Sequence, residues 1–143
     1  MSSQNKKIKA LLGYCYNKSF GPYSIPVKFQ NIICQNYANK LKLTYGPGSG
    51  EPIFSKNHYQ LRSMLQDTNQ SNGIVMLSFY MMPKSKEKRN NLFKLALNNK
   101  KELHFVIEDI KFKNKKDIKK IEDLFLFRKF TSDGEIIFNN LKK

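Results

Sequence analysis

The sequence predicts a three-layer α/β domain of the doubly wound type, with about four parallel strands and helices on both faces of the sheet. Apolar stretches of strand length alternate four times with helical patterns, and each connection is long enough for a right-handed crossover. The length of 143 residues is that of one domain. We therefore expect a single domain over residues 1–143, with the structure of the tail at about 130–143 left open.

The first half of the chain contains two predicted strand–helix units. Residues 8–16 form an apolar run of strand length, and a Gly/Pro/Ser loop follows at 17–24. The helix predicted over 25–40 has Ser24 available as N-cap and Pro26 in its first turn. The inward face of this helix is predicted to consist of Phe29, Ile32, Ile33 and Tyr37. The rest of this half is predicted as a short strand at 41–45, a loop at 46–52 and a helix over about 57–68.

The second half begins with the clearest strand, at 73–80, because a near-continuous apolar run is typical of a central strand buried on both faces. Pro83 ends this strand. The remaining predicted elements are a helix at 85–99, a strand at 102–109 and a helix at 115–129. After residue 129 we prefer a short packed tail to a hairpin turning at Asp133–Gly134.

The composition excludes several classes of protein. With 40% hydrophobic and 26% charged residues the chain is typical of a globular protein. No apolar run reaches the ~20 residues of a membrane span, and no signal peptide is evident at the N-terminus. Cys15 and Cys34 lie in apolar surroundings, which indicates reduced, buried thiols and a cytoplasmic location. Their spacing from the two histidines is not that of metal ligands, so we expect neither a metal nor a cofactor.

The charge is strongly basic, with 26 Lys and Arg residues against 11 Asp and Glu and a formal net charge of +15. This balance is compatible with a nucleic-acid partner. Only Arg62, Arg89 and Arg128 are arginines, however, and bidentate recognition of phosphate or guanine favours arginine over lysine. A solvated basic surface is therefore favoured over a dedicated nucleic-acid interface.

A ligand site is expected where the strands end, because doubly wound sheets bind ligands beyond the carboxyl ends of their strands. The predicted strand ends bring hydroxyls, carboxylates and a lysine to one edge, which we call the strand-end rim. Its predicted lining is Tyr16, Lys18, Ser19, Ser49, Glu51, Ser78, Tyr80 and Glu108.

Three rim residues are candidates for catalysis. Ser19 could act as a nucleophile, although no histidine is placed by the sequence to activate it, and a serine in such a loop is also typical of a turn. Glu51 and Glu108 could act as general bases or could cap the turns that follow. The glycine-rich segment 46–50 could hold a phosphate with its backbone N–H groups or could be a plain connection. His104 and Glu108 share a face of the predicted strand and could act together, but a hydrogen-bonded structural histidine is favoured at 104.

Several stretches match a known family: Gly13–Tyr14, 26–31, 49–51, Tyr59 with Leu61 and Leu65, 73–83 followed by Arg89, 102–108 and 121–123. Over roughly residues 13–123 the sequence resembles the "sporadic carbohydrate cluster" proteins of bacterial gene clusters for surface polysaccharides. The resemblance implies this pathway context and no settled reaction. It adds Gln30, Asn31 and Arg62 as binding candidates. The sequence departs from the pattern at Val27, where a glutamine is expected, and at Phe79.

A fainter similarity, at the level of the fold, is to the catalytic domain of serine recombinases, which also begins with a strand and helix from a Gly-Tyr start. Ser19 falls one residue after the position of that family's nucleophilic serine. Those enzymes need several arginines around the serine, whereas strand one here ends in Tyr16, Asn17 and Lys18. The similarity therefore implies a shared fold and argues against recombinase chemistry.

The resemblance to the carbohydrate cluster proteins implies a small cytosolic protein of bacterial surface-carbohydrate biosynthesis. With the polar strand-end rim, we expect it to bind or modify a phosphorylated or nucleotide-linked sugar there. The alternative is a basic nucleic-acid-associated module with a resolvase-like fold. A homodimer is also possible, through an exposed apolar edge at Phe79, Met81 and Met82. Whether the protein is an enzyme stays open. The candidate binding residues are Tyr16, Lys18, Gln30, Asn31, Ser49, Arg62, Ser78, Tyr80 and Arg89.

Overall fold

A computed structural model describes residues 10–51, 57–67 and 71–141, without the side chains of residues 47–48 and 130–139. The chain divides into two compact units, Met1–Lys113 and Asn114–Lys143, each of which is described by itself. The expectation of one domain over residues 1–143 stays a prediction.

The first unit contains a five-stranded sheet in the order β2-β1-β3-β4-β5. Strands β1 to β4 are parallel, and β5 runs antiparallel to β4. This arrangement confirms the α/β class and the four parallel strands, and it adds a fifth strand that the sequence did not indicate. The elements are β1 (Ala10–Cys15), α1 (Val27–Lys40), β2 (Thr44–Gly50), α2 (Tyr59–Gln66), β3 (Gly73–Met76), a 3-10 turn (Phe79–Met81), α3 (Lys86–Asn98), β4 (Glu102–Phe105) and β5 (Ile110–Phe112).

Helices cover both faces of the sheet because the strand order reverses at β1. The connection through α1 leads from β1 to β2, on one side of β1. The connection through α2 leads from β2 to β3, on the other side of β1. Because right-handed connections in opposite directions lie on opposite faces, α1 and α2 cover the two faces of the sheet. Side chains of β1 reflect this: Tyr14 and Cys15 are both buried, and strand alternation points them to opposite faces. Helix α1 packs on β1, β2 and β3, whereas α2 packs on α3 and β3.

Strand β2 is longer than predicted and includes part of the predicted loop. It pairs with β1 from Thr44 to Gly50, with a shift in register between Leu12 and Tyr14. A Cβ at Gly46 would overlap the Cδ2 methyl at the end of the Leu12 side chain, whereas the nearest backbone atom, the Leu11 oxygen, would lie 3.8 Å away. Because β2 lies at the edge of the sheet, its glycines and proline are tolerated there. The strand prediction at 41–45 and the loop prediction at 46–52 are therefore wrong over most of their lengths.

The third and fourth strands end earlier than the sequence indicated. Strand β3 ends at Met76 and β4 ends at Phe105, although residues 77 and 107 remain hydrogen-bonded, with 2.7 Å between the Ile107 nitrogen and the Leu77 oxygen. A turn at 106–109 follows, in which Asp109 has φ +53°, and it reverses the chain into β5. The apolar run at 103–107 conceals this turn in the sequence.

Helix α1 faces the sheet with a different side from the one predicted. Gln30, Cys34 and Ala38 are fully buried, and Phe29, Ile32 and Ile33 are exposed. Cys34 and Ala38 are small enough to bring the helix close to the sheet, and Gln30 is satisfied by backbone groups there. The inward assignment of Phe29, Ile32 and Ile33 is therefore wrong.

The second unit contains one long helix, α4 (Lys116–Leu141). At its start Asn114 and Asp117 exchange bonds with the backbone, because the Lys116 N–H donates to Asn114 and the Asn114 N–H donates to Asp117. The helix continues through Asp133 and Gly134, so both the packed tail and the alternative hairpin are wrong. No proline interrupts residues 116–141, and one glycine costs a helix only about 1 kcal/mol. Among the described residues no helix has the length and hydrophobicity of a membrane span.

Candidate functional site

The strand-end rim is built around Tyr14, near the end of β1, and Tyr16, which directly follows β1 and lies on the same face two residues later. The rings of Tyr14 and Tyr16 lie 5.6 Å apart, and the ring of His58 lies 5.8 Å from that of Tyr16. Neither Tyr14 nor His58 is among the site residues predicted from the sequence. The spacing of two tyrosines by two residues at a strand end, and a histidine directly before a helix, were the available signals.

Tyr14 is fully buried, and its hydroxyl donates to Glu51 Oε1 over 2.8 Å. The two carboxylate oxygens also accept the backbone N–H groups of Gln60 and Leu61, at 2.9 and 3.0 Å. Glu51 therefore caps the N-terminus of α2, where free N–H groups and the helix dipole favour a negative charge. Burial raises the pKa of Tyr14 far above its usual range, and Tyr16 and Glu51 raise it further, so its phenol stays protonated. A catalytic role for Glu51 stays a prediction.

Tyr16 and His58 form the most chemically versatile pair at the rim. The Tyr16 hydroxyl is hydrogen-bonded to His58 Nε2, and this nitrogen also lies 2.8 Å from the Met81 carbonyl oxygen. Burial raises the pKa of Tyr16 to about 12 and lowers the pKa of His58, so both groups are neutral at physiological pH. When Nε2 is unprotonated it accepts from Tyr16, and when it carries the proton it donates to Met81. The neutral imidazole of His58 can therefore carry its proton on either Nδ1 or Nε2.

A cation lies beside this pair. Lys88 Nζ donates to Asn57 Oδ1 over 3.4 Å, next to His58 in the chain, and the charge of Lys88 contributes to lowering the pKa of His58. Lys88 is exposed, as are Lys84 and Lys86. An anionic group that bound here would meet a positive charge and neutral hydrogen-bonding groups within one small region.

The loop after β1 is held at the rim by a series of contacts between aromatic rings. The rings of Phe20 and Tyr23 lie 5.9 Å apart, and Tyr23 makes an edge contact with Tyr80 at 6.2 Å. Phe20 and Tyr23 also exchange two backbone hydrogen bonds of 3.0 Å. Gly21 has φ +57°, and a Cβ there would overlap the Tyr80 ring, so the loop requires glycine at this position.

Gln30 positions the backbone of Tyr16. Its amide nitrogen donates to the carbonyl oxygens of Tyr16 and Ile25, at 2.5 and 2.7 Å, and its oxygen accepts the Tyr16 N–H at 2.9 Å. Gln30 is fully buried, so these bonds satisfy a polar group that would otherwise be costly inside the protein. Ligand binding by Gln30 stays a prediction, and the contacts shown are structural.

Three other predicted site residues hold the segment after β3. Glu108 Oε1 accepts the Phe79 N–H at 2.5 Å, and the buried hydroxyl of Ser78 accepts the Tyr80 N–H at 3.2 Å. Arg89 is buried and donates to the carbonyl oxygens of residues 83 and 84, at 3.0 and 2.6 Å. Glu108 lies in a turn, not at a strand end. Its contact orders the 3-10 turn, and its catalytic role stays a prediction.

Of the remaining predicted site residues, some are exposed and others are partly buried or hydrogen-bonded within the protein. Lys18, Ser19 and Arg62 are exposed, and Ser49 and Tyr80 are partly buried. Asn31 accepts a hydrogen bond from the Tyr45 hydroxyl of β2 at 2.5 Å. Among the residues that the structure describes, no three histidine, cysteine or carboxylate side chains lie close enough together to hold a metal ion.

His104 is a hydrogen-bonded structural histidine, as the sequence favoured, whereas the apolar edge differs from expectation. His104 contacts Tyr37 and Glu102, whereas Glu108, which shares its predicted face, bonds to Phe79. Phe79, Met81 and Met82 are buried, so the exposed apolar edge expected of them is absent. The prediction of a homodimer therefore loses this basis and stays untested.

The sheet order and its covering helices define a resolvase-like α/β fold. The chain is similar to the N-terminal catalytic domain of the TP901-1 integrase, with a TM-score of 0.62 and 15% identity over 89% of this chain and 99% of that chain. At this identity the similarity shows the fold alone, and it confirms the fold-level similarity to serine recombinases. No family model and no curated protein matches the chain. The resemblance to sporadic carbohydrate cluster proteins gains no support from these comparisons.

Proposed function

We propose that the protein binds a phosphorylated or nucleotide-linked sugar at the strand-end rim, as a cytosolic component of bacterial surface-carbohydrate biosynthesis. The observation that carries the proposal is the Tyr16–His58 pair with Lys88 beside it. A lysine attracts phosphate as a point charge, while neutral hydroxyl and imidazole groups donate to and accept from sugar hydroxyls. The carbohydrate context rests on the sequence resemblance.

Exposed groups on both sides of this pair extend the proposed site. Lys18 and Ser19 follow β1 and are exposed, and the partly exposed rings of Tyr23 and Tyr80 offer apolar surface to a sugar or a base. The carboxylates of Glu51 and Glu108 fulfil structural roles in the contacts shown. The proposal therefore places ligand chemistry on Tyr16, His58 and the lysines.

A second candidate is a basic nucleic-acid-associated module, favoured by the similarity to the integrase catalytic domain and by the net charge of +15. Recombinase-type chemistry at Ser19 has little support. Of the arginines in the first unit, Arg89 is buried against backbone carbonyls, and only Arg62 is exposed.

Calorimetric titration with sugar phosphates, nucleotide-sugars and a short duplex DNA tests both candidates. Tyr16→Phe keeps the ring and removes the hydroxyl, and Lys88→Met removes the charge. We expect each substitution to weaken nucleotide-sugar binding about tenfold, the effect of one charge-assisted hydrogen bond. The matched control variants are Tyr59→Phe and Lys120→Met, at exposed positions on α2 and α4.

Nucleotide-sugar affinity that is equal in Tyr16→Phe, Lys88→Met and the controls would contradict the proposed site. Sequence-selective DNA binding that persists at physiological salt would favour the second candidate, because non-specific binding by lysines falls steeply as salt rises.

A further inference from the structure

Helix α1 exposes three large apolar side chains within one turn. Phe29, Ile32 and Ile33 have 53%, 45% and 37% of their surfaces exposed. Residues three and four apart lie on the same face of a helix, so these side chains form one stripe, which we call the α1 stripe. A contiguous exposed apolar patch commonly marks an interaction surface.

The α1 stripe reverses the usual arrangement of an amphipathic helix. The face that packs on the sheet carries Gln30, Cys34 and Ala38, and all three are fully buried. A glutamine is therefore inside, held by backbone hydrogen bonds, while a phenylalanine and two isoleucines are outside. Packing of α1 within the first unit does not account for the apolar character of its outer face.

Lysines flank the α1 stripe, and among the described residues the carboxylates of Glu102 and Asp109 lie near Tyr37, one turn beyond Ile33. Lys28 and Lys40 are exposed on α1, and Lys42 is exposed just after it. Residues 1–50 contain no aspartate or glutamate, and the first acidic residue in the chain is Glu51. An occupant with complementary charge is anionic. A second copy docked through the same stripe would bring lysines of both copies together, which is unfavourable.

We propose that α1 docks on an anionic lipid surface. Phe29, Ile32 and Ile33 enter the boundary between headgroups and acyl chains, while Lys28 and Lys40 remain at the level of the lipid phosphates. A helix with an apolar face flanked by lysines binds in this way through buried apolar area together with attraction to anionic headgroups. A nucleic acid would satisfy the lysines, but its phosphate backbone offers nothing to two exposed isoleucines. This inference does not depend on the ligand at the strand-end rim.

Vesicle co-sedimentation of the full chain tests the proposal. The vesicles contain phosphatidylcholine, either alone or with about one quarter phosphatidylglycerol. We expect binding to the anionic vesicles, with at least about tenfold weaker binding for the Phe29→Ser/Ile32→Ser double variant, since two large side chains no longer enter the lipid. Lys28→Gln/Lys40→Gln should weaken binding to anionic vesicles and reduce its dependence on salt. The matched control is Phe127→Ser, which removes an exposed phenylalanine from α4.

Several outcomes overturn the proposal. One is equal binding to neutral and anionic vesicles, and another is binding by neither the wild-type protein nor its variants. A double variant that sediments like the wild type would show that the α1 stripe does not enter the lipid. Light scattering that finds a wild-type dimer and a monomeric double variant would assign the stripe to a second copy. Loss of duplex DNA binding in the double variant, with vesicle binding kept, would assign the stripe to nucleic acid.

Discussion

Tyr37 of α1 donates a hydrogen bond to His104 of β4, with 2.8 Å between the hydroxyl and Nδ1. The other ring nitrogen, Nε2, lies 2.8 Å from Glu102 Oε2. Because a carboxylate only accepts, the proton of the neutral imidazole resides on Nε2, and the lone pair of Nδ1 faces Tyr37. This arrangement uses both ring nitrogens of a buried histidine and joins a helix to the sheet beneath it.

Stability should fall as the pH falls below neutral, in part because of His104. Burial lowers the pKa of His104, and Lys111 and Lys113 add to this effect, although Glu102 opposes it. The unfolded state, with a histidine pKa of about 6.5, therefore binds protons first as the pH falls, which favours unfolding. Urea unfolding of His104→Gln at about pH 7.5 and 5.5 should show a smaller loss of stability between the two than wild type. A loss equal to that of the wild type would contradict this account, since His58, whose pKa is also lowered, is present in both proteins.

The cap on α2 should contribute measurably to stability. Glu51→Gln removes the charge and one of the two oxygens that accept from Gln60, Leu61 and Tyr14. We expect a loss of about 1 kcal/mol in the free energy of unfolding, typical of losing a helix cap. Glu87→Gln, at an exposed first-turn position of α3, is the control and should change little. A Glu51→Gln variant as stable as the control would show that the carboxylate is not an important cap.

Gln30 should be among the most sensitive polar positions in the chain. Gln30→Ala leaves the N–H and carbonyl of Tyr16 without these partners inside the protein. The expected cost is about 2–4 kcal/mol, because buried backbone groups lose their hydrogen bonds and a cavity remains. Gln35→Ala, on the exposed side of the same helix, should cost less than about 0.5 kcal/mol. Equal midpoints of denaturant unfolding for the two variants would contradict this role of Gln30.

A double-mutant cycle should separate two effects at Gly21. Gly21→Ala introduces strain at φ +57° and an overlap with the Tyr80 ring, so we expect a loss of about 1–3 kcal/mol. In a Tyr80→Ala background the overlap is gone and only the backbone strain remains, so the same change should cost less. Thermal unfolding of the four proteins measures the coupling. Strict additivity would mean that Gly21 and Tyr80 do not pack as described.

The alternation of strands and helices predicted the parallel sheet and its covering helices, because hydrophobic periodicity and connection length are local properties of the chain. The resemblance to serine recombinases, noted from the Gly-Tyr start of the first strand and the position of Ser19, is confirmed at the level of the fold. The position of the strand-end rim followed from topology, since parallel strands end at one edge. Tyr16, Ser78 and Tyr80 do lie in that region, together with Glu51.

Tertiary structure alone decided which side of α1 is buried and what the predicted site residues bond to. Gln30 can be inside because the backbone groups of Tyr16 and Ile25 form hydrogen bonds with its amide in the fold. Glu51 caps α2 because the first turn of that helix lies within hydrogen-bond distance of its carboxylate. Residues 46–50 form a strand because they pair with β1. Each outcome depends on hydrogen bonds between different segments of the chain, which the fold brings together. The energy of such a bond depends on which partner the fold brings into contact, and the local residue pattern does not identify that partner.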